Sequence, residues 1–176
     1  KLINLTKRFE VSGASGSCGI GHTRWATHGK PEERNAHPHL DGSGELAVVQ
    51  NGIIENHRSL RERLEAGGVA FQSDTDTEVL VNLIEDVQKS HHYQLGKAVQ
   101  VALSQVVGAY AIVVFDTKKT DELVVAKLGS PLAIGMGDQE YFIASDASPF
   151  IEYTKKAVYL EDHQLAIIKR DRAPKI

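Results

Sequence analysis

Cysteine is almost absent from this sequence, and so are the features that would place it in a membrane. One cysteine in 176 residues forbids an intrachain disulfide, which makes a reducing, cytoplasmic setting the natural expectation. No apolar run approaches the length of a bilayer span, which argues against a membrane protein. The opening KLINLTKRFE lacks the apolar core of a signal peptide. Charge is not biased to one sign: 20 Lys and Arg stand against 23 Asp and Glu, for a formal net charge of −3. With no basic block, nucleic acid is not expected as a partner. A start methionine is also lacking. Lys1 opens a short amphipathic segment (Leu2, Leu5, Phe9), so the chain reads as a piece of something longer.

What is present is ordinary for one folded domain spanning 1–176: 41% hydrophobic and 24% charged residues, enough to bury a sizeable core. A small-residue linker at 11–16 leads into SCGIGHTRWATHG (17–29). That stretch reads as a buried strand handing over to a loop that presents Arg24, Trp25, Thr27 and His28. A long polar connection runs from 29 to 44. ELAVVQ (45–50) is a buried strand ending in an Asn51-Gly52 turn. Helices are expected at 55–66, stopped by Gly67-Gly68, and from 73–78 onward, where Thr75 and Glu78 fit a capping box and Leu80, Leu83, Ile84 and Val87 share a face. A third helix is expected at 95–106. Strands follow at 109–115, 122–128, 132–135, 141–144, 157–160 and 164–169, with a helical turn near 148–154. Strands, then helices, then strands make an α+β layered domain. The runs AVV, AIVVF and LVVA are apolar throughout and need burial on both faces, so sheet should pack on sheet with helices outside.

Several residues could carry chemistry, each beside a plainer reading. Arg24 next to Trp25 suits a small carboxylate, the planar fork binding it bidentately and the indole excluding water. The pair could equally be a surface ion pair and a core aromatic. The amide of Asn51 and the backbone N–H of Gly52 could form an oxyanion hole, each donor worth roughly 3 kcal/mol, or the dipeptide could be only a turn. Asp76, like Asp74, could hold a substrate ammonium or serve a helix dipole. His22, His28, His37 and His39 raise the question of a metal, but His37-Pro38-His39 lacks zinc-motif spacing and no Cys or Glu sits at a matching offset, so no metal is expected. His57, His91, His92 and His163 read as solvated. Cys18 has no base beside it and reads as a packed or edge thiol. There is no GxSxG elbow, P-loop or dinucleotide fingerprint, and no cofactor is expected.

Taken together, HTRWATHG (22–29), NAHPH (35–39), NGIIEN (51–56), SDTDTE (73–78), GAYA (108–111), GSPL (129–132) and FIASD (142–146) closely resemble the glutaminase domain of the glutamine–fructose-6-phosphate aminotransferases. These are class II amidotransferases with the four-layer αββα N-terminal-nucleophile sandwich. The resemblance implies that Arg24 clamps the α-carboxylate of L-glutamine, supported by Thr27 and His28 and walled by Trp25. It further implies that Asp76 holds the α-ammonium, that Asn51 and Gly52 form the oxyanion hole, and that the loop holding His37 helps cover the site. It implies no cofactor, a C-terminal sugar-phosphate isomerase domain in the parent chain, and a homodimer at full length. The departures are as informative. The family nucleophile is a cysteine at the mature N-terminus, where this chain has Lys1. Cys18 cannot inherit that role, so the chain is expected to lack glutaminase activity, and the missing leading strands are expected to leave an apolar sheet edge prone to self-association. Gln50 stands where relatives carry histidine. Other readings are a non-catalytic glutamine-binding module, a histidine-built metal hydrolase, and an amidotransferase with a different ammonia acceptor.

Overall fold

The computed structural model describes residues 16–176 together with Lys7 and Glu10. The amphipathic segment expected at the start, and the linker at 11–16 apart from Gly16, lie outside the described residues. Among the described residues the strands are β1 (His39–Leu40), β2 (Leu46–Ile54), β3 (Gly108–Asp116), β4 (Glu122–Leu128), β5 (Ala133–Met136), β6 (Tyr141–Ala144), β7 (Ala157–Tyr159), β8 (Leu165–Lys169) and β9 (Arg172–Lys175). The helices are α1 (His57–Ala66), α2 (Asp76–His91) and α3 (Leu95–Leu103). A six-stranded sheet has the order β1-β2-β3-β4-β8-β9, and a three-stranded sheet the order β6-β5-β7. Every pairing within them is antiparallel.

Side chains alternate across a strand, so an apolar run such as AIVVF feeds two cores at once. On β3, Ile112 and Val114 join Val48, Val124 and the helix residues Leu80, Leu83, Ile84 and Val99 in one cluster. Ala111 and Val113 point the other way and pack with Val49, Val125 and Ile168 against Leu132 and Ile134 of the small-sheet region. The result is the expected layering, helices on sheet on sheet. The far side of the small sheet is covered by turns at 148–153, where Phe150 packs against Phe142 and a Cβ at Gly135 would meet its ring.

Helix α2 starts as its sequence signal says: the Thr75 hydroxyl accepts from the Glu78 N–H at 3.2 Å. The Glu78 carboxylate does not return to Thr75, however. It accepts from the N–H groups of Gln72 (2.8 Å) and Ser73 (2.6 Å) and so closes the approach to the helix. His92, in the left-handed conformation, ends the helix.

Three local expectations are corrected. Residues 17–29 form no strand: the interleaved Gly19 and Gly21 weaken extended structure, and among the described residues no ladder neighbour pairs with them. Arg170 donates to the Ser17 carbonyl at 3.1 Å, and Ile20 packs on the inter-sheet core. Strand β2 does not stop at Asn51-Gly52 but runs on, pairing Asn51 with Ala111 and Gly52 with Tyr110. Gly52 has φ 127°, and a Cβ there would run into the Ala109 carbonyl, so the dipeptide marks a close backbone approach rather than a turn. Helix α3 ends at Leu103 instead of 106, and Val106 still packs against the core from the following turn. The edge strands β1 and β9 have no periodic signal, being two and four residues long.

Replacing Gly52 by Ala should therefore destabilise the domain by about 3 kcal/mol or more, combining positive-φ strain with a backbone clash. Urea unfolding of the variant checks this, and a midpoint equal to wild type contradicts the strand geometry.

Candidate functional site

The C-terminal end of β2 meets the N-terminus of α2, and the contact is made by a buried carboxylate. Asp76, 4% exposed, accepts at Oδ2 from the Ile54 N–H (2.8 Å) and from Gln50 Nε2 (3.3 Å). Among the described residues its Oδ1 accepts no hydrogen bond, and His28 Nδ1 lies 3.7 Å from it. Beside it lies a cavity of about 300 Å³ lined by Arg24, Trp25, Thr27, His37, Asn51, Gly52 and Asp76. Seven of the eight residues singled out in the sequence thus share one cavity, and the eighth, His28, faces the carboxylate. A second cavity of about 310 Å³ adjoins it, sharing His22, Thr23, Gln50 and Asn51.

Arg24 is held inside its own loop: its guanidinium donates to the carbonyls of His28, Gly29 (3.1 Å) and Lys30 (3.2 Å). Among the described residues no side chain pairs with it. Trp25 is 89% exposed, which corrects the core-aromatic reading; its loop lies outside the sheet, and among the described residues the indole is left facing solvent. Asp74 takes the structural role, accepting from Arg34 at 2.8 Å and pairing with Asn35.

The histidines form a column along the long 29–44 connection. His37 Nε2 lies 2.9 Å from Thr77 Oγ1, and His39 Nε2 lies 3.0 Å from Thr75 Oγ1. Ring centroids are 4.4 Å apart for His22 and His37, and 5.1 Å for His37 and His39. Burial pulls the His37 pKa down to about 3, with help from the neighbouring His22, His39 and Arg24. Burial also lowers His22, with Arg24 adding to it. His39 is lowered by burial against the opposite pull of Glu78 and Asp76. Among the described residues, no group of three or more His, Cys, Asp or Glu is placed to hold a metal ion. His57, read as solvated, instead lies edge-on to His28 at 4.3 Å, with its Nδ1 2.8 Å from the Ile54 carbonyl.

Among the described residues, the buried side-chain polar atoms without a hydrogen-bond partner are Nδ1 of His22, His28 and His37 and Oε1 of Gln50. All four belong to residues on this cavity or facing Asp76. Orphaned buried polar atoms are rare in folded proteins, and these four lie together. Gln50 is the residue that pattern reading underrated; its one signal is an amide closing an otherwise apolar strand. Cys18 lies elsewhere, in a cavity of about 620 Å³ lined by residues of both sheets. Burial pushes its thiol pKa up, the opposite of an activated nucleophile.

A histidine whose folded pKa is depressed binds its proton more readily when unfolded, so stability is full above pH 6.5 and declines as pH falls toward 3. Unfolding free energy should drop between pH 7 and 5, and His37→Gln, which keeps a partner for Thr77, should flatten that slope. An unchanged slope contradicts the neutral column.

Comparison with known proteins places this geometry. A family model described as a glutamine amidotransferase domain matches residues 11–173. A Bacteroides thetaiotaomicron protein named glutamine–fructose-6-phosphate aminotransferase [isomerizing] is 52% identical over 176 residues, covering 100% of this chain and 29% of that protein. The Chlorobaculum tepidum protein of the same name is 51% identical over 172 residues, 96% of this chain and 28% of that one. The chain therefore spans less than a third of the length of these relatives. Among solved structures, glutamine phosphoribosylpyrophosphate amidotransferase from B. subtilis, complexed with ADP and GMP, superposes with a TM-score of 0.69 at 32% identity, covering 88% of this chain and 33% of that one. A structure described as the allosteric regulatory enzyme of purine biosynthesis gives 0.72 at 34% identity, with the same coverage. With a family model over most of its length and relatives about 50% identical, the chain belongs to the glutamine amidotransferase domain family.

Proposed function

We propose that this chain is the glutamine-hydrolysing part of an enzyme that supplies ammonia to fructose 6-phosphate, giving glucosamine 6-phosphate and glutamate. The observation that carries the reading is the shared cavity: a cationic fork, a buried carboxylate with one open oxygen, and the Asn51-Gly52 pair line the same 300 Å³. These are the groups a free α-amino acid with a side-chain carbonyl requires. The names borne by relatives about 50% identical over nearly all of the chain support fructose 6-phosphate as acceptor. The amidotransferase from B. subtilis, at 32% identity, is the more distant model.

In this mechanism the Asp76 carboxylate binds the glutamine ammonium, and Arg24 binds the α-carboxylate through N–H groups not engaged by the loop carbonyls. Thr27 and His28 support that end, Trp25 closes over it, and the His37 loop covers the site. Attack of a thiolate on the side-chain amide carbon gives a tetrahedral oxyanion, stabilised by the Asn51 amide and the Gly52 N–H. Protonation and loss of the amide nitrogen yield ammonia and a γ-glutamyl thioester. Water then cleaves the thioester to glutamate and free thiol. The thiol is assigned to the N-terminal cysteine that the family resemblance implies, since Cys18 lines a different cavity. An isomerase domain in the parent protein receives the ammonia, and the parent works as a cytoplasmic homodimer.

For the isolated chain a second reading follows from the same observation. Among the described residues no thiol lines the cavity, so this chain binds glutamine without hydrolysing it. Calorimetry should detect glutamine binding that weakens at least tenfold in Arg24→Ala and in Asp76→Asn, each removing a charged partner. A glutamate assay should show no turnover. Turnover that disappears in Cys18→Ala overturns the assignment of the thiol, and variants that bind as wild type does overturn the pocket.

A further inference from the structure

The roles above assign nothing to Gln50, a buried polar residue of the cavity. Gln50 is 3% exposed and lies on the wall between the two adjoining cavities. Its NH₂ group donates to Asp76 Oδ2 at 3.3 Å, which fixes which end of the amide is which. Among the described residues its Oε1 then has no partner. A buried amide oxygen left unpaired costs roughly 1–3 kcal/mol, and apolar residues occupy the preceding positions of the same strand, Leu46 to Val49. A methionine would fill similar space without that cost. Asp76 is in the matching condition: Oδ2 takes two donors while Oδ1 takes no hydrogen bond.

We propose that Gln50 completes an ammonium subsite, Nε2 holding Asp76 in orientation while Oε1 and Asp76 Oδ1 accept two of the three N–H bonds of the incoming α-ammonium. This rests on the reading of the cavity as an amino-acid site and adds a specificity residue to it. The chemistry favours the pairing. An ammonium has only donors, so two acceptors answer it, one charged and one neutral. Because the amide does not titrate, it orients Asp76 equally at every working pH. A site with two such acceptors rejects an analogue that lacks the donor, since both oxygens are then left buried and unpaired.

The test compares L-glutamine with 4-carbamoylbutanoate, which is glutamine without its α-ammonium, by calorimetry on the full 176-residue chain. Wild type should prefer glutamine. Gln50→Met should lose roughly tenfold or more of that preference, with its affinity for 4-carbamoylbutanoate unchanged. Gln50→His, which can donate from one ring nitrogen to Asp76 and accept at the other, should retain the preference. Because each variant is read as a ratio of two ligands, a general loss of stability cancels. If Gln50→Met keeps the wild-type preference, or weakens both ligands alike, the assignment of Gln50 fails while the amino-acid site stands. A wild-type chain that shows no preference for glutamine, with Asp76→Asn indistinguishable from it, overturns the site and this subsite together.

Discussion

A carboxylate removed from water must be met by donors, and the way Asp76 is met organises this molecule. An unpaired buried charge costs several kcal/mol, and the donors that answer it come from β2, 22 and 26 residues earlier in the chain. One side chain thereby ties the end of a central strand to the start of the most deeply buried helix. The N-terminus of α2 adds a favourable field. Once this joint is made, the corner between strand and helix is fixed, and the cavity is the space that corner encloses.

The rest of the site is held by side chains rather than by a backbone ladder. The 29–44 connection wraps the helix start through pairs of His37 with Thr77, His39 with Thr75, Asn35 with Asp74, and the Gly42 N–H with Asn82. Arg24 staples the neighbouring loop by its own carbonyls. Such an arrangement keeps the imidazoles neutral and packed, yet it leaves ring nitrogens and an amide oxygen unanswered. Those atoms are hydrogen-bonding capacity that folding does not use. Their concentration at one place, not the volume of the cavity, distinguishes it from the larger pockets at 720 and 620 Å³.

Much of the fold was legible because burial leaves a local signature. The capping residues of α2, the glycine stop after α1 and the wholly apolar strands all answer to short-range rules. Strands β4 and β6 have the expected bounds. The failures are equally physical. Residues 17–29 have strand-like residues but no ladder partner among the described residues. Asn51-Gly52 carries a turn signal and yet lies inside a ladder, because the closeness of Ala109 asks for a glycine there.

By itself the sequence determined the layers, the helix starts and the identity of most of the groups that line the cavity, since these depend on residue type and spacing of a few positions. Only the tertiary structure decided that Arg24 braces its own loop, that Trp25 faces solvent, that His57 backs His28, and that Gln50 and Asp76 are joined across 26 residues. Hydrogen-bond pairing between distant segments has no local periodicity to announce it; it exists only once the sheet and helix have packed and a buried donor must take whichever acceptor lies within 3 Å or so.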